Sequence, residues 1–293
     1  MSTFLATSPE FPSHPMATAM EAADLDRAGA LVVEAGWNQV RADWEIFLAL
    51  GQALKVNGAG GSLDATAATL PYAGGFGWIS MVLVTQSRRR QGLATALLAR
   101  CIADLRAKGL VSGLDATPAG RAVYRQRGFA DGCPISRWVR TAAAAVPTDT
   151  AHVRTLQPQD QDAVAALDTA AFGCPRGELL ARLAARSADF ACVSPSGGSP
   201  RGFLLGRNGR NATQLGPVVA HDEVTAVALL DHAIARQPGS LLIDLLDRHR
   251  HVAQALTLRG FVIQRTYTRM TLDRARPFGD ERLMVAIAGP ELG

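Results

Sequence analysis

One order of elements runs through this chain twice, and that repetition constrains its fold more than any other feature. In the first half, "MATAME" (16–21) reads as a short strand. Helical spacing follows over 22–38 and again over 41–51, ending at Gly51. "QALKV", "DATAATL" and "GWISMVLVT" are predicted strands, and a helix spans 91–108. "VSGLDAT" (111–117) is a strand, Pro118 opens a short helix to Arg127, and strand structure restarts at "GF". After 151 the same rhythm returns. "HVRTL" is a strand, 158–170 and 176–186 are helices, and "DFACVS" with "RGFLLGR" forms a hairpin. "ATQLGPVVA" is a strand, 222–236 a helix, "LLIDLLD" a strand and 250–259 a helix, with closing strands at 262–272 and 282–288. Residue identity between the halves is faint, so the order of elements carries the argument. It predicts an α/β fold with mixed sheets, built by tandem duplication of one unit. The expected organisation is a flexible leader over 1–15, a first domain over 16–140, a linker over 141–151 and a second domain over 152–293.

The most informative local feature is "ISMVLVTQSRRRQGLATALL" (79–98). A buried-looking strand ends near Thr85, a polar and basic loop follows, and a helix begins after Gly92. The first N–H groups of a helix lack intrahelical partners, and the helix dipole adds positive potential there. Gly92 lets a ligand approach the backbone, and Ala94 keeps the next approach point small. Arg88, Arg89 and Arg90 add charge around it. A pyrophosphate is the occupant that suits such a loop.

This loop resembles the acyl-CoA loop of the GNAT (GCN5-related N-acetyltransferase) superfamily. The family pattern R/Q-x-x-G-x-G/A reads here as Arg89-x-x-Gly92-x-Ala94, between a valine-rich strand and a helix. "AVYRQRGF" (122–129) resembles the family's second cofactor motif. The resemblance implies that acetyl-CoA, or another acyl-CoA, is the co-substrate. Backbone groups of Val82, Leu83 and Val84 would pair with the pantetheine arm as an added strand does. The N–H groups of Arg89, Arg90, Gln91, Gly92, Leu93, Ala94 and Thr95 would hold the pyrophosphate. Tyr124 occupies the family's tyrosine position, where a neutral phenol can protonate the leaving thiolate. Its alternative role is to pack the short helix on the sheet. Thr117 or Arg121 is expected to touch the cofactor. The resemblance implies N-acetyl transfer to a small-molecule amine by direct attack in a ternary complex, since neither cofactor motif holds a cysteine to carry the acyl group.

Two departures stand out. Many family members carry a glutamate on the strand before the loop; here that strand reads Trp78-Ile79-Ser80-Met81. Asp115 is the leading substitute base and Asp64 the other, although Asp115 or Thr117 could equally cap the helix that Pro118 opens. In the second half Pro217 interrupts the equivalent strand, and His221, Asp222 and Glu223 stand where a basic loop would be. Acidic residues there repel a diphosphate, and Leu256 fills the tyrosine position. The second half is therefore expected to keep the fold without a cofactor loop and to wall the substrate cleft. "DTAAFGCPRGELL", "LDATPAGRAVYRQRGF" and "TRMTLD…VAIAGPELG" together resemble a bacterial subfamily of two-part GNAT proteins whose second half is of the holothin-acyltransferase type. The missing base and the reduced second half also fit a non-catalytic acyl-CoA sensor.

Trp37, Asn38 and Trp78 are candidates for the acceptor site. Trp44, Tyr72, Phe76, Phe172 and Arg176 either border the same cleft or pack the core. The pI of about 9.2 and net charge of +4 do not argue for nucleic acid, because no basic block is interleaved with aromatics. Cys101, Cys133, Cys174 and Cys192 are too scattered for a metal site or disulfide framework, and "RHRH" (248–251) reads as a solvated turn, so no metal is expected. No apolar run reaches the ~20 residues a membrane span needs. A cytoplasmic monomer or homodimer is the expected form.

Overall fold

The computed structural model describes residues 17–141, 150, 152–197 and 199–293. The expected leader over 1–15 and most of the expected linker over 141–151 lie outside these residues. The first half contributes β1 (Thr18–Ala19), α1 (Leu25–Glu34), α2 (Arg41–Leu50), β2 (Gln52–Asn57), β3 (Leu63–Tyr72) and β4 (Phe76–Val84). It continues with α3 (Leu93–Ala107), β5 (Val111–Ala116), α4 (Pro118–Arg125) and β6 (Phe129–Arg140). The second contributes β7 (Arg154–Thr155), α5 (Gln161–Phe172), α6 (Gly177–Arg186), β8 (Cys192–Ser194), β9 (Gly202–Arg207) and β10 (Thr213–Ala220). It ends with α7 (Glu223–Arg236), β11 (Leu241–Leu246), α8 (Arg250–Leu258), β12 (Val262–Leu272) and β13 (Met284–Ala286). The twofold α/β rhythm read from the sequence is present, and the sheet is mixed.

Among the described residues, thirteen strands join one sheet in the order β1-β2-β3-β4-β5-β12-β6-β11-β13-β10-β9-β8-β7. The halves exchange their long strands. β12 of the second half lies between β5 and β6 of the first, and β6 pairs on its other side with β11. The exchange is pseudo-symmetric down to the register. Arg269 of β12 stands opposite Asp115 of β5, and Arg137 of β6 stands opposite Asp244 of β11. Both pairs are two-point ion pairs, at 3.0 Å twice for Arg269–Asp115 and at 2.7 and 2.8 Å for Arg137–Asp244. Both aspartate side chains are fully buried.

Alternation along the strands divides the apolar residues between two faces. Helices α1, α2, α5 and α6 share one core that crosses both halves through Leu25, Phe47, Leu167 and Leu183. Leu97 and Leu105 of α3 build a second core with Met270, and Leu229 and Leu256 of α7 and α8 build a third. Trp44, Tyr72, Phe76 and Phe172 belong to the first core. Tyr72 and Phe172 have ring centroids 4.8 Å apart. Arg176 lies over Phe172 at 3.7 Å and pairs with the buried Asp168.

Candidate active site

β4 and β5 run parallel and pair from Phe76–Val111 to Trp78–Gly113, and no farther. A bulge in the β3–β4 pairing lies just beyond the point where they part. The β3–β4 register shifts between Thr66 and Ala68, and Met81 adopts φ 52°, which is rare for a residue with a side chain. The Thr66 hydroxyl donates to the Met81 carbonyl at 2.9 Å and holds the kink. Gly113 is required where the strands part, because a Cβ there would sit 2.7 Å from the Trp78 ring. Past that point no strand among the described residues pairs with β4 on its β5 side, which leaves a gap beside Ile79–Val84.

The gap leads to the basic loop. A 3-10 turn over Gln86–Arg88 follows β4, Arg90 takes φ 61°, and Gly92 takes φ 83° at the start of α3. Val82–Val84, Arg88–Arg90, Gly92–Thr95 and Trp37 line an open cleft of about 410 Å³. The arginines differ in their engagement. Arg88 pairs with Asp64 at 3.1 Å, which ties up that candidate base. Arg89 Nε donates to the Val84 carbonyl at 3.1 Å and its guanidinium lies 3.9 Å from Glu34. Arg90 is exposed and has no ion pair among the described residues. Gln91 does not line the cleft; its amide donates to the Ser87 carbonyl at 3.2 Å.

A smaller cavity of about 120 Å³ adjoins the cleft, since Trp37 and Val82 line both. Tyr124, Asp115 and Thr117 line it. Tyr124 is presented by α4, whose first turn is set by Pro118 and by Thr117 accepting from the Gly120 N–H at 3.2 Å. Thr117, rather than Asp115, is thus the cap. Burial, with nearby Cys101 adding to it, raises the Tyr124 pKa, so the phenol stays neutral. Asp115 reaches the cavity with both oxygens held by Arg269, which stacks over Trp78 at 4.6 Å. Burial raises its pKa against the opposing pull of Arg269. Arg121 is turned to a two-point contact with Asp131 at 2.7 and 2.8 Å.

Two acceptor-site candidates lie elsewhere. The Asn38 amide clamps the turn after β9, accepting from Asn211 N–H at 2.9 Å and Ala212 N–H at 3.0 Å and donating to the Ala212 carbonyl at 3.0 Å. The Trp78 ring is fully buried, and its N–H donates to the Pro290 carbonyl at 2.8 Å. Neither lines the cavity, because short polar and planar apolar groups found better partners in the seam between the halves. Gln39, Ser80, Arg137, Arg265, Tyr267 and Glu291 line it instead. One signal for this set could have been found: Glu291 is a lone acid in the apolar run "MVAIAGPELG". His249 in "RHRH" is buried, not solvated, with Nε2 3.0 Å from the Met284 carbonyl. No cluster of metal-ligating side chains occurs among the described residues. No helix among them is long and apolar enough to cross a membrane.

The corresponding place in the second half is built differently. β10 and β11 are parallel and pair only through Thr213–Leu241 and Gln214–Leu242. They too then part, but β13 enters the gap. Val218 pairs with Ala286 on one side and Leu245 with Ala286 on the other. At the start of α7, the Asp222 carboxylate accepts from the Thr225 N–H at 2.7 Å.

A model of the acetyltransferase (GNAT) family matches residues 12–129, and a model of an acetyltransferase (GNAT) domain matches residues 164–284. The chain belongs to the GNAT N-acetyltransferase superfamily and carries one such unit in each half. Members of this superfamily draw on acyl-CoA, and the open cleft with its unpaired strand edge suits that donor. The uncharacterized N-acetyltransferase YitH of Bacillus subtilis is 24% identical over 184 residues, which cover 62% of this chain and 65% of YitH. The match thus spans just under two thirds of that relative. A candidate acetyltransferase from Pyrococcus horikoshii has the same fold over 99% of this chain and 100% of its own, with TM-score 0.78 at 17% identity. A tandem GNAT protein from the clavulanic acid biosynthesis pathway aligns with TM-score 0.59 at 16% identity, over 87% of this chain and 97% of its own.

Proposed function

We propose that the chain transfers an acetyl group from acetyl-CoA to the primary amine of a small molecule, by direct attack in a ternary complex formed in the first half. The observation that carries this reading is the parted edge of β4, open from the anion loop at one end to the Tyr124 cavity at the other. Backbone groups of Val82, Leu83 and Val84 pair with the pantetheine arm. N–H groups between Arg89 and Thr95 hold the pyrophosphate, with Arg90 available to a further phosphate. The thioester then lies beside Tyr124. The amine attacks the carbonyl carbon, the C–S bond breaks, and the neutral phenol protonates the departing thiolate. No cysteine lines the cavity, so attack is direct.

Asp115 acts as a positioning residue in this scheme. Its counterpart Asp244 makes the same ion pair at the other exchanged strand, where no cofactor slot is open. A carboxylate repeated in both halves serves what the halves share, which is the strand exchange. Calorimetric titration with acetyl-CoA, followed by turnover of an amine panel, tests the proposal. Saturable binding with acetylation of at least one amine is expected. Absence of binding at millimolar acetyl-CoA overturns it, and binding with no acceptor across the panel favours the sensor.

A further inference from the structure

The cavity beside Tyr124 has an unusual polar inventory. Three of its lining side chains are more than nine-tenths buried and each has a polar atom with no hydrogen-bond partner among the described residues: Gln39 Oε1, Ser80 Oγ and Glu291 Oε2. Burying such atoms unpaired is costly, so native proteins keep few of them. All three can accept a hydrogen bond. The other charges on the cavity wall are mostly neutralised within the fold. Asp115 is held by Arg269 and Arg137 by Asp244. Glu291 is different: Arg207 holds one of its oxygens, and the other has no partner among the described residues. Arg207 also reaches Asp43 at 2.9 Å and the Ala288 carbonyl, so the arm that carries Glu291 is anchored. The carboxylate comes from the far end of the chain. β13 threads the second half's gap, and the segment beyond it delivers Pro290 and Glu291 to the first half's cavity.

We infer that Gln39, Ser80 and Glu291 form a receptor for a primary ammonium group, and that Glu291 is the base for acetyl transfer. This rests on the acyl-transfer reading for its second part only. An ammonium has three N–H donors, and three buried acceptors await it. Glu291 Oε2 takes one proton and leaves a neutral amine. The nitrogen lone pair forms the C–N bond to the thioester carbon, and the C–S bond breaks. The second proton lost by nitrogen balances the one the thiolate receives through Tyr124, and the proton on Glu291 returns to solvent. The second half thus supplies the carboxylate that the first half's strand lacks at Ser80.

The test uses n-propylammonium as probe, titrated into the full-length protein without CoA and followed by NMR, with n-propanol as the neutral control. Arg265 lines the same cavity without an ion pair among the described residues, so affinity is read as a difference between variants. Wild type is expected to bind the ammonium saturably and not the alcohol. Glu291→Gln, which keeps an oxygen for Arg207, should weaken binding by about tenfold or more. Ser80→Ala should weaken it less while raising Tm, because an unpaired buried hydroxyl is removed; a merely structural Ser80 moves Tm alone. No saturable binding, or equal binding by wild type and Glu291→Gln, overturns the receptor. In turnover, Glu291→Gln should lower kcat/KM on the order of 10²-fold with acetyl-CoA affinity unchanged. Equal turnover overturns the base assignment. Failure of acetyl-CoA to bind wild type would remove the transfer reaction but leave the ammonium result standing on its own.

Discussion

The same pair of parallel strands opens in both halves of this molecule, and only one opening is left for a ligand. In the first half β4 and β5 separate after Trp78–Gly113, and the gap runs to a glycine-bearing basic loop. In the second half β10 and β11 separate after Gln214–Leu242, and β13 fills the gap with backbone hydrogen bonds. The helix that follows is also satisfied from within. α3 begins at Gly92, with no side-chain cap, whereas α7 begins under the Asp222 carboxylate. A strand and a carboxylate occupy the two positions that a pantetheine arm and a phosphate would take. The fold's demand for partners is the same in both halves. One half meets it with its own chain, and the other leaves it open, where the proposed function puts the co-substrate.

The largest expected effect tests whether only one opening is functional. Gly92→Glu places a carboxylate at the anion loop and a side chain at φ 83°. Acetyl-CoA binding should fall by more than ~10³-fold, beyond calorimetric detection. Wild type should titrate with one equivalent per chain. A second equivalent, or residual binding in the variant, would break the comparison by showing that the second opening also serves.

Next in size is the strand exchange. Asp115→Asn leaves the largely buried Arg269 without its counter-charge and should cost about 3 kcal/mol, read as the shift in urea midpoint. Asp115→Leu combined with Arg269→Met should recover most of that loss, because an apolar pair of similar volume replaces the ion pair. A double variant that folds and still acetylates an amine would fix Asp115 as a strut. One that folds and is inert would return it to the chemistry.

Tyr124→Phe comes third. It keeps the ring against Phe129, 5.9 Å away centroid to centroid, and removes only the hydroxyl. Turnover should drop on the order of 10²-fold with acetyl-CoA affinity unchanged. Leu256→Tyr, the matching change in the second half, should create no new activity, since β13 already fills the strand opening there.

Most of the fold was legible residue by residue, because helices and strands declare themselves through spacing and punctuation. The helix starting at Pro118, the one ending at Gly51 and the strand at 111–116 all appear where capping and alternation put them. The strand exchange was not legible. "QRTYTRMTL" and "GCPISRWVR" read equally well as the last strand of either half, and only the Asp115–Arg269 and Asp244–Arg137 registers decide the order. The strand–loop–helix around Gly92 was legible because the backbone there, at φ 83°, needs a particular residue. Trp37 and Tyr124, both singled out in the sequence, do line the smaller cavity, but Gln39, Ser80 and Glu291 were not legible there, because they come from three distant segments that only the tertiary fold brings together. Asn38 and Trp78 looked suitable by type, yet the seam between the halves claims both.

The smallest effect concerns the carboxylate at the closed opening. Burial works against its charge, but the Thr225 N–H and Arg201 hold the Asp222 pKa below the usual carboxylate value. A carboxylate with a depressed folded-state pKa adds stability above its unfolded pKa, and that contribution fades as pH falls through it toward the lower folded value. Asp222→Ala should therefore cost about 1 kcal/mol at neutral pH, mainly from the lost cap. Arg201 at the rim adds little, since solvent screens an exposed pair. The gap between wild type and variant, followed by urea unfolding, should narrow as pH drops below ~4. The variant bares the α7 N-terminus while β13 stays in place. It should still fail to bind a second acetyl-CoA, because a bare helix end without an open strand edge offers the diphosphate no companion site for the pantetheine arm. If Asp222→Ala did bind a second equivalent, the carboxylate alone would be what distinguishes the halves, and the inserted strand would be incidental.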